Sequence, residues 1–124
     1  AVAFVNGADA ENHRMLKLNA TDGTYANLSL TTFTVGAKSD LLHTVEGVAV
    51  DPTGKIWVAD TSYNRLVQFS STGAFLQVFG KQGITGHGVF NKPAHLEIQA
   101  VPSNPTLLFV VDSWNDRIEV FKIA

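Results

Sequence analysis

Between residues 44 and 80 the apolar positions fall in short runs rather than at helical spacing. The runs are GVAVD (47–51), IWVAD (56–60), RLVQF (65–69) and FLQVFG (75–80), with PTG (52–54) and SSTG (70–73) among the interruptions. Short runs rich in Val, Ile, Leu, Phe and Trp, bounded by Gly, Pro, Ser, Thr and Asp, are the mark of hairpin-linked β-strands. No stretch of ten or more residues carries the i, i+3, i+4 apolar spacing of an amphipathic helix. The pattern predicts an antiparallel meander of four strands, a to d, over 47–80.

The same phrasing recurs. DTSYNRLVQF (60–69) returns as DSWNDRIEVF (112–121), and a looser copy, DAENHRMLKL, occupies 9–18. Each copy sets an Asp five positions before an Arg, and the chain's three arginines all stand at that position. A repeat near 50 residues made of short strands points to an array or a propeller. The flanking copies predict strands b, c and d over 1–36 (AVAFV, RMLKL, YANLSLTTFTVG). They predict strands a, b and c over 94–124 (HLEIQAV, LLFVVD, RIEVFKI). Connecting loops are expected at 37–46 and 81–93. The expected fold class is all-β, with three propeller blades of 3, 4 and 3 strands in one segment, 1–124. A meander of this kind cannot bury both faces alone, so neighbouring blades must stack on it. Closed propellers use about 4 to 8 four-stranded blades. The arc is therefore expected to close by oligomerisation, a homodimer supplying six blades, or with further blades of a longer chain.

GVAVDPTGKIWVADTSYNRLVQFSSTGAFLQVFGKQGITGHGVFNKP resembles the NHL repeat almost end to end, and ENHR at 11–14 carries the letters of its name. The resemblance is strongest over 44–93, clear over 107–122 and looser over 1–36. It implies a β-propeller, commonly six-bladed. GVFNKPAHLEIQAVP (88–102) also looks like a phrase of the peptidyl-α-hydroxyglycine α-amidating lyases. There, a His directly after the Pro on inner strands binds zinc. Here Ala94 follows Pro93 and His95 comes one position later, and a one-residue shift on a strand turns a side chain to the opposite face. The zinc set does not carry over, and no metal ligand is assigned beyond His95 as a weak candidate.

The repeated Asp closes strand b and the repeated Arg opens strand c. An Arg fork can hold a carboxylate and still donate to nearby carbonyls. Asp9–Arg14, Asp60–Arg65 and Asp112–Arg117 are therefore expected to be structural corner pairs rather than a ring of ligand-binding charges. With the arginines committed, the cations left are six scattered lysines in a chain of net charge −2. That charge excludes a polyanion groove, so no nucleic-acid partner is expected. No apolar run approaches the length of a membrane-spanning helix. Without cysteine there is neither a disulfide framework nor a thiolate zinc site.

His43 and His87 fall in the two connecting loops and His95 at the mouth of an inner strand. The chain has no HxH or HExxH spacing. No cofactor is predicted, with zinc or calcium the ions to look for if these loops converge. Tyr63 and Trp114 lie in equivalent b–c turns, where an aromatic is less bound to a core role than in mid-strand. Together with the three histidines they form the candidate ligand-binding set. Trp57, inside strand b, is expected in the core, and Asp51 in DPTG is expected to shape a turn. NAT at Asn19 and NLS at Asn27 fit the glycosylation sequon and point toward an extracellular route. The expected function is a non-catalytic binding scaffold for a protein or small ligand. The alternatives are a metal-dependent lyase or hydrolase, and a structural subunit that self-assembles into rings or filaments.

Overall fold

The computed structural model describes residues 4–9, 14–19, 25–30, 32–35, 38–100 and 105–123, with side chains over 42–100 and 105–123. Strands β1 (Phe4–Asp9), β2 (Arg14–Asn19) and β3 (Tyr25–Leu30) form a three-stranded sheet in the order β1-β2-β3. A hairpin of β4 (Thr32–Val35) and β5 (Lys38–Leu41) follows. The central sheet runs β6 (Val45–Val50), β7 (Ile56–Asp60), β8 (Arg65–Phe69), β9 (Phe75–Phe79), each strand antiparallel to the next. After a short parallel bridge of β10 (Lys81–Gln82) with β11 (Val89–Phe90) comes the third sheet. It comprises β12 (Pro93–Gln99), β13 (Leu107–Asp112) and β14 (Arg117–Lys122), again in meander order.

Two departures from the sequence pattern stand out. The expected long strand over 25–36 is divided into β3 and β4, and the expected loop at 37–46 contains β5. The period-two alternation of Thr32, Phe33, Thr34 and Val35 is a hairpin signal of its own. In addition, β6 starts at Val45 and β12 at Pro93, a little earlier than the apolar runs suggest.

The turns of the central sheet follow from local chemistry. In DPTG the Asp51 carboxylate accepts the Thr53 and Lys55 amides at 2.9 and 3.0 Å and the Thr53 hydroxyl at 2.6 Å. Gly54 closes the turn at φ +89°, a region that disfavours residues with a Cβ. In SSTG the Ser70 hydroxyl takes the same role toward the Thr72 and Ala74 amides, with Gly73 at φ +92°.

The central sheet buries both faces. Ile56, Val58, Val67 and Phe69 join Leu42 and Val45 in one cluster, with Phe75 packed edge-on against Phe69. Trp57, Ala59 and Leu66 face the other way and meet Phe90, Leu96, Leu108 and Val110 of the following loop and sheet. The first strands lie innermost, with β6 packed between β1 and β12. The approach of β6 to β12 is so close that a Cβ on Gly47 would stand 2.7 Å from the Ala94 carbonyl oxygen, which only glycine tolerates.

Candidate functional site: the corner face

The b–c corners and the loops that enter each sheet gather at one end of the strands. Each corner is a 3-10 turn, Thr61–Tyr63 or Ser113–Asn115. Asn64 at φ +55° and Asp116 at φ +52° close these turns, and these residue types tolerate left-handed backbone best after glycine. The flanking Asp and Arg are register partners: Asp9 with Arg14, Asp60 with Arg65, and Asp112 with Arg117. The side chains of Asp9 and Arg14 lie outside the described residues, as do those of Asn19 in β2 and Asn27 in β3.

At the central corner Asp60 is fully buried. Its Oδ2 accepts from Arg65 Nε and Nη2, both at 2.9 Å, and its Oδ1 accepts the His43 amide at 2.9 Å. The carboxylate thus clamps the incoming loop to the corner of its own sheet. Burial pushes its pKa above the ordinary 3.8, against the opposing pull of the His43 amide and Arg65. At the third corner Asp112 repeats the plan. Oδ2 accepts from Arg117 Nε at 3.0 Å and Asn115 Nδ2 at 2.8 Å, and Oδ1 accepts the Asn91 amide at 2.7 Å. Arg117 Nη2 also donates to the Gly86 and Val89 carbonyls, and Asn115 donates to Gly83, so this corner holds the 80–90 loop as well.

Adjacent sheets are tied through the same face. Thr61 Oγ1 donates to the Pro93 carbonyl at 2.7 Å, and the Lys92 amide donates to Asn64 Oδ1 at 2.9 Å. The repeated phrase therefore fixes the corner, the entering loop and the next sheet at once.

The aromatic candidates stay at the surface. Tyr63 is 49% exposed, stacks on His43 with ring centroids 5.0 Å apart, and lies under the Arg65 guanidinium at 5.0 Å. Trp114 is 69% exposed, with Lys92 Nζ 5.8 Å from its ring centroid. Each corner thus carries an aromatic face beside a cation. Trp57 is buried and stacked on Phe79, with its indole N–H donated to Asp51 Oδ2 at 3.2 Å.

The histidines have separate neighbours. His43 lies against Tyr63, His87 is exposed with Nδ1 3.8 Å from Glu119, and His95 is exposed with Nε2 3.7 Å from Glu97. The β12 ladder does shift register between Pro93 and His95, so the bulge that could re-aim His95 exists. It sets His95 opposite Val111, with Glu97 opposite Phe109 two residues on. Among the described residues no three His, Asp or Glu side chains are grouped to hold a metal ion. Nor is any helix among them long and apolar enough to cross a membrane.

Sequence reasoning did not single out Glu119. It is buried on β14 at the position of Val67 in β8, and accepts the Gly88 amide through Oε1 at 3.2 Å. A charged letter where the other copy has Val was the signal available.

Four-stranded and three-stranded meanders, packed face to face with their first strands innermost, define the class: the sheets are blades of a β-propeller. Residues 42–69, the core of the central blade, match the family profile of the NHL repeat. No curated protein matches the chain.

Proposed function

We propose that the chain is a non-catalytic interaction module that binds a protein or small ligand on its corner face. The observation that supports this reading is the pair of exposed aromatics, Tyr63 and Trp114, each beside a cation and each fixed on a corner held by buried ion pairs. Rigid aromatic faces with a polar handle are what binding hot spots use, and they lose little conformational entropy on contact. His43 extends the patch beside Tyr63. The buried Asp–Arg pairs act as its scaffold.

The test displays peptides and glycans to the wild-type chain and to a Y63A/W114A double variant. Ligands captured by the first and lost by the second, at unchanged melting temperature, support the reading. Ligands held equally by both place the binding surface elsewhere.

A second reading, self-association through blade faces, is favoured by the outer face of the third blade. Phe109, Val111, Ile118 and Val120 stand where Trp57, Ala59, Leu66 and Gln68 stand in the central blade, and Ile118 and Val120 are exposed. A homodimer built on that face would appear in sedimentation as a concentration-dependent species.

A further inference from the structure

We infer that the strip joining the central and third corners, formed by Tyr63, Asn64, Lys92 and Trp114, binds an acidic sugar, a uronic-acid unit of an oligosaccharide. The C–H face of the sugar lies on the Trp114 ring and its carboxylate pairs with the Lys92 ammonium. Its hydroxyls bond to the Tyr63 hydroxyl and the Asp116 carboxylate. The inference rests on the corner-face reading and names the ligand for it. Every residue it uses falls within 61–116, where two neighbouring blades meet.

The first observation concerns Lys92. Its backbone stands at φ +57°, a left-handed conformation that Asn64 and Asp116 also adopt. Asparagine and aspartate tolerate that region, whereas lysine gains nothing there. Glycine or asparagine would hold the same backbone at lower cost, so the lysine side chain itself needs a reason. The backbone is firmly tied: the Lys92 amide donates to Asn64 Oδ1 at 2.9 Å, and the Pro93 carbonyl accepts Thr61 Oγ1 at 2.7 Å. The ammonium, in contrast, has no carboxylate partner among the described residues and faces the Trp114 ring. Asp60 and Asp112, the acids of the two corners, are already committed to Arg65 and Arg117. A cation held in place without an anion is set to take one from a ligand.

The second observation is that the two aromatics offer different groups. The Tyr63 ring is engaged by the His43 ring and the Arg65 guanidinium, each 5.0 Å from its centroid, so its hydroxyl is what remains. Trp114 is exposed, and among the described residues no other ring stacks on it, so it offers a flat apolar face. Its turn neighbours Ser113, Asn115 and Asp116 are polar, and Asp116 is exposed. A protein hot spot sits in a pocket whose surround excludes water. A bare ring with a polar rim instead suits a pyranose, which has an apolar C–H face and hydroxyls around its edge. A nucleobase would also stack, but a nucleotide strand needs a row of cations, and this strip has one uncommitted ammonium. Lys92 then selects a sugar that carries a carboxylate.

The experiment titrates the isotope-labelled chain with tetragalacturonate and, separately, with its methyl ester, which keeps the rings and loses the charges. NMR follows the two indole N–H signals and the backbone amides. Tetragalacturonate should move the Trp114 indole and the amides of 61–64, 91–92 and 113–116, and leave the Trp57 indole in place. It should bind roughly tenfold more tightly than the ester, the ratio expected for one charge-assisted hydrogen bond. Lys92→Asn suits the left-handed backbone, so it should erase that preference with no loss of melting temperature. Trp114→Ala should abolish binding of both.

Equal affinity for acid and ester overturns the inference, as does a preference that survives Lys92→Asn or a set of shifts away from the strip. A single-stranded RNA that moves the same signals at lower concentration overturns it too. The broader reading fails separately. If neither sugar binds while a peptide is captured by the wild-type chain and lost by Y63A/W114A, the corner face stands and the sugar falls. If no sugar or peptide distinguishes those two chains, the corner-face reading falls with it.

Discussion

Strands β8 and β14 carry near-copies of one phrase, yet Leu66 on β8 is 1% exposed and its counterpart Ile118 on β14 is 63% exposed. The letters are equivalent and the surroundings are not. β8 has β9 on its outer side and apolar layers against both faces, whereas β14 has one packed face and, among the described residues, one paired edge. A repeat sequence specifies the blade, but burial is supplied by the neighbour. The two copies are therefore a controlled experiment in which one substitution can be made twice.

The largest difference should come from charge. Leu66→Asp places an unpaired carboxylate between two blades, and a loss of about 4–5 kcal/mol or more is expected, enough to unfold many domains of this size. Ile118→Asp sets the same group in water and should change stability by no more than about 0.5 kcal/mol. Chemical denaturation of both variants reads the contrast directly. A large loss from Ile118→Asp would mean that its face is covered in solution, which would favour self-association.

The corners should differ less. Arg65→Ala leaves the fully buried Asp60 with only the His43 amide among its described partners, and about 3–5 kcal/mol is expected. Arg117→Ala leaves Asp112 with Asn115 Nδ2 and the Asn91 amide, so about 1–3 kcal/mol is expected. It also frees the Gly86 and Val89 carbonyls, and limited proteolysis should then cut within 81–88, a region Arg65→Ala leaves intact. Equal stability losses would mean that stranding the buried Glu119, which Arg117 also faces at 3.4 Å, offsets what the asparagine contributes.

How much of this was legible in the sequence depends on the range of the interaction. The central meander, its two glycine turns and the Asp–Arg spacing are local, and the letters carry them. The β4–β5 hairpin was obscured because its second strand, Lys38–Leu41, reads as polar loop. The bulge ahead of His95 was out of reach for another reason. It answers to the packing of β12 on β6, where Gly47 admits the Ala94 carbonyl. The exposure of Tyr63 and Trp114 was equally hidden, since turn residues are buried or bared by loops from elsewhere. Glu119 shows the limit most clearly. One letter marks it as odd, and only the surrounding 80–90 loop turns it into a buried acceptor.

The smallest expected effect concerns the two tryptophans and acid. Asp51 belongs to the a–b turn of the central blade and holds the Trp57 indole, while Trp114 at the third corner faces solvent. Burial alone would raise the Asp51 pKa. The Thr53 and Trp57 side chains and the Lys55 and Thr53 amides outweigh it and hold the pKa below the ordinary 3.8. For a carboxylate depressed in the folded state, the stabilisation is fully present above the unfolded value. It is lost as pH falls through the folded one. Asp51 is only partly buried, so the stability at stake is modest and solvent-screened. The sharper readout is indole hydrogen exchange. Protection of the Trp57 N–H should persist from neutral pH to near 3.8 and fade below it, with Trp114 unprotected throughout. Asp51→Asn should weaken the Trp57 protection at every pH and remove its acid dependence. If the acid step survives that substitution, the titrating group is another carboxylate. Asp60 is not that group, because its raised pKa makes its contribution fade as pH rises rather than as it falls.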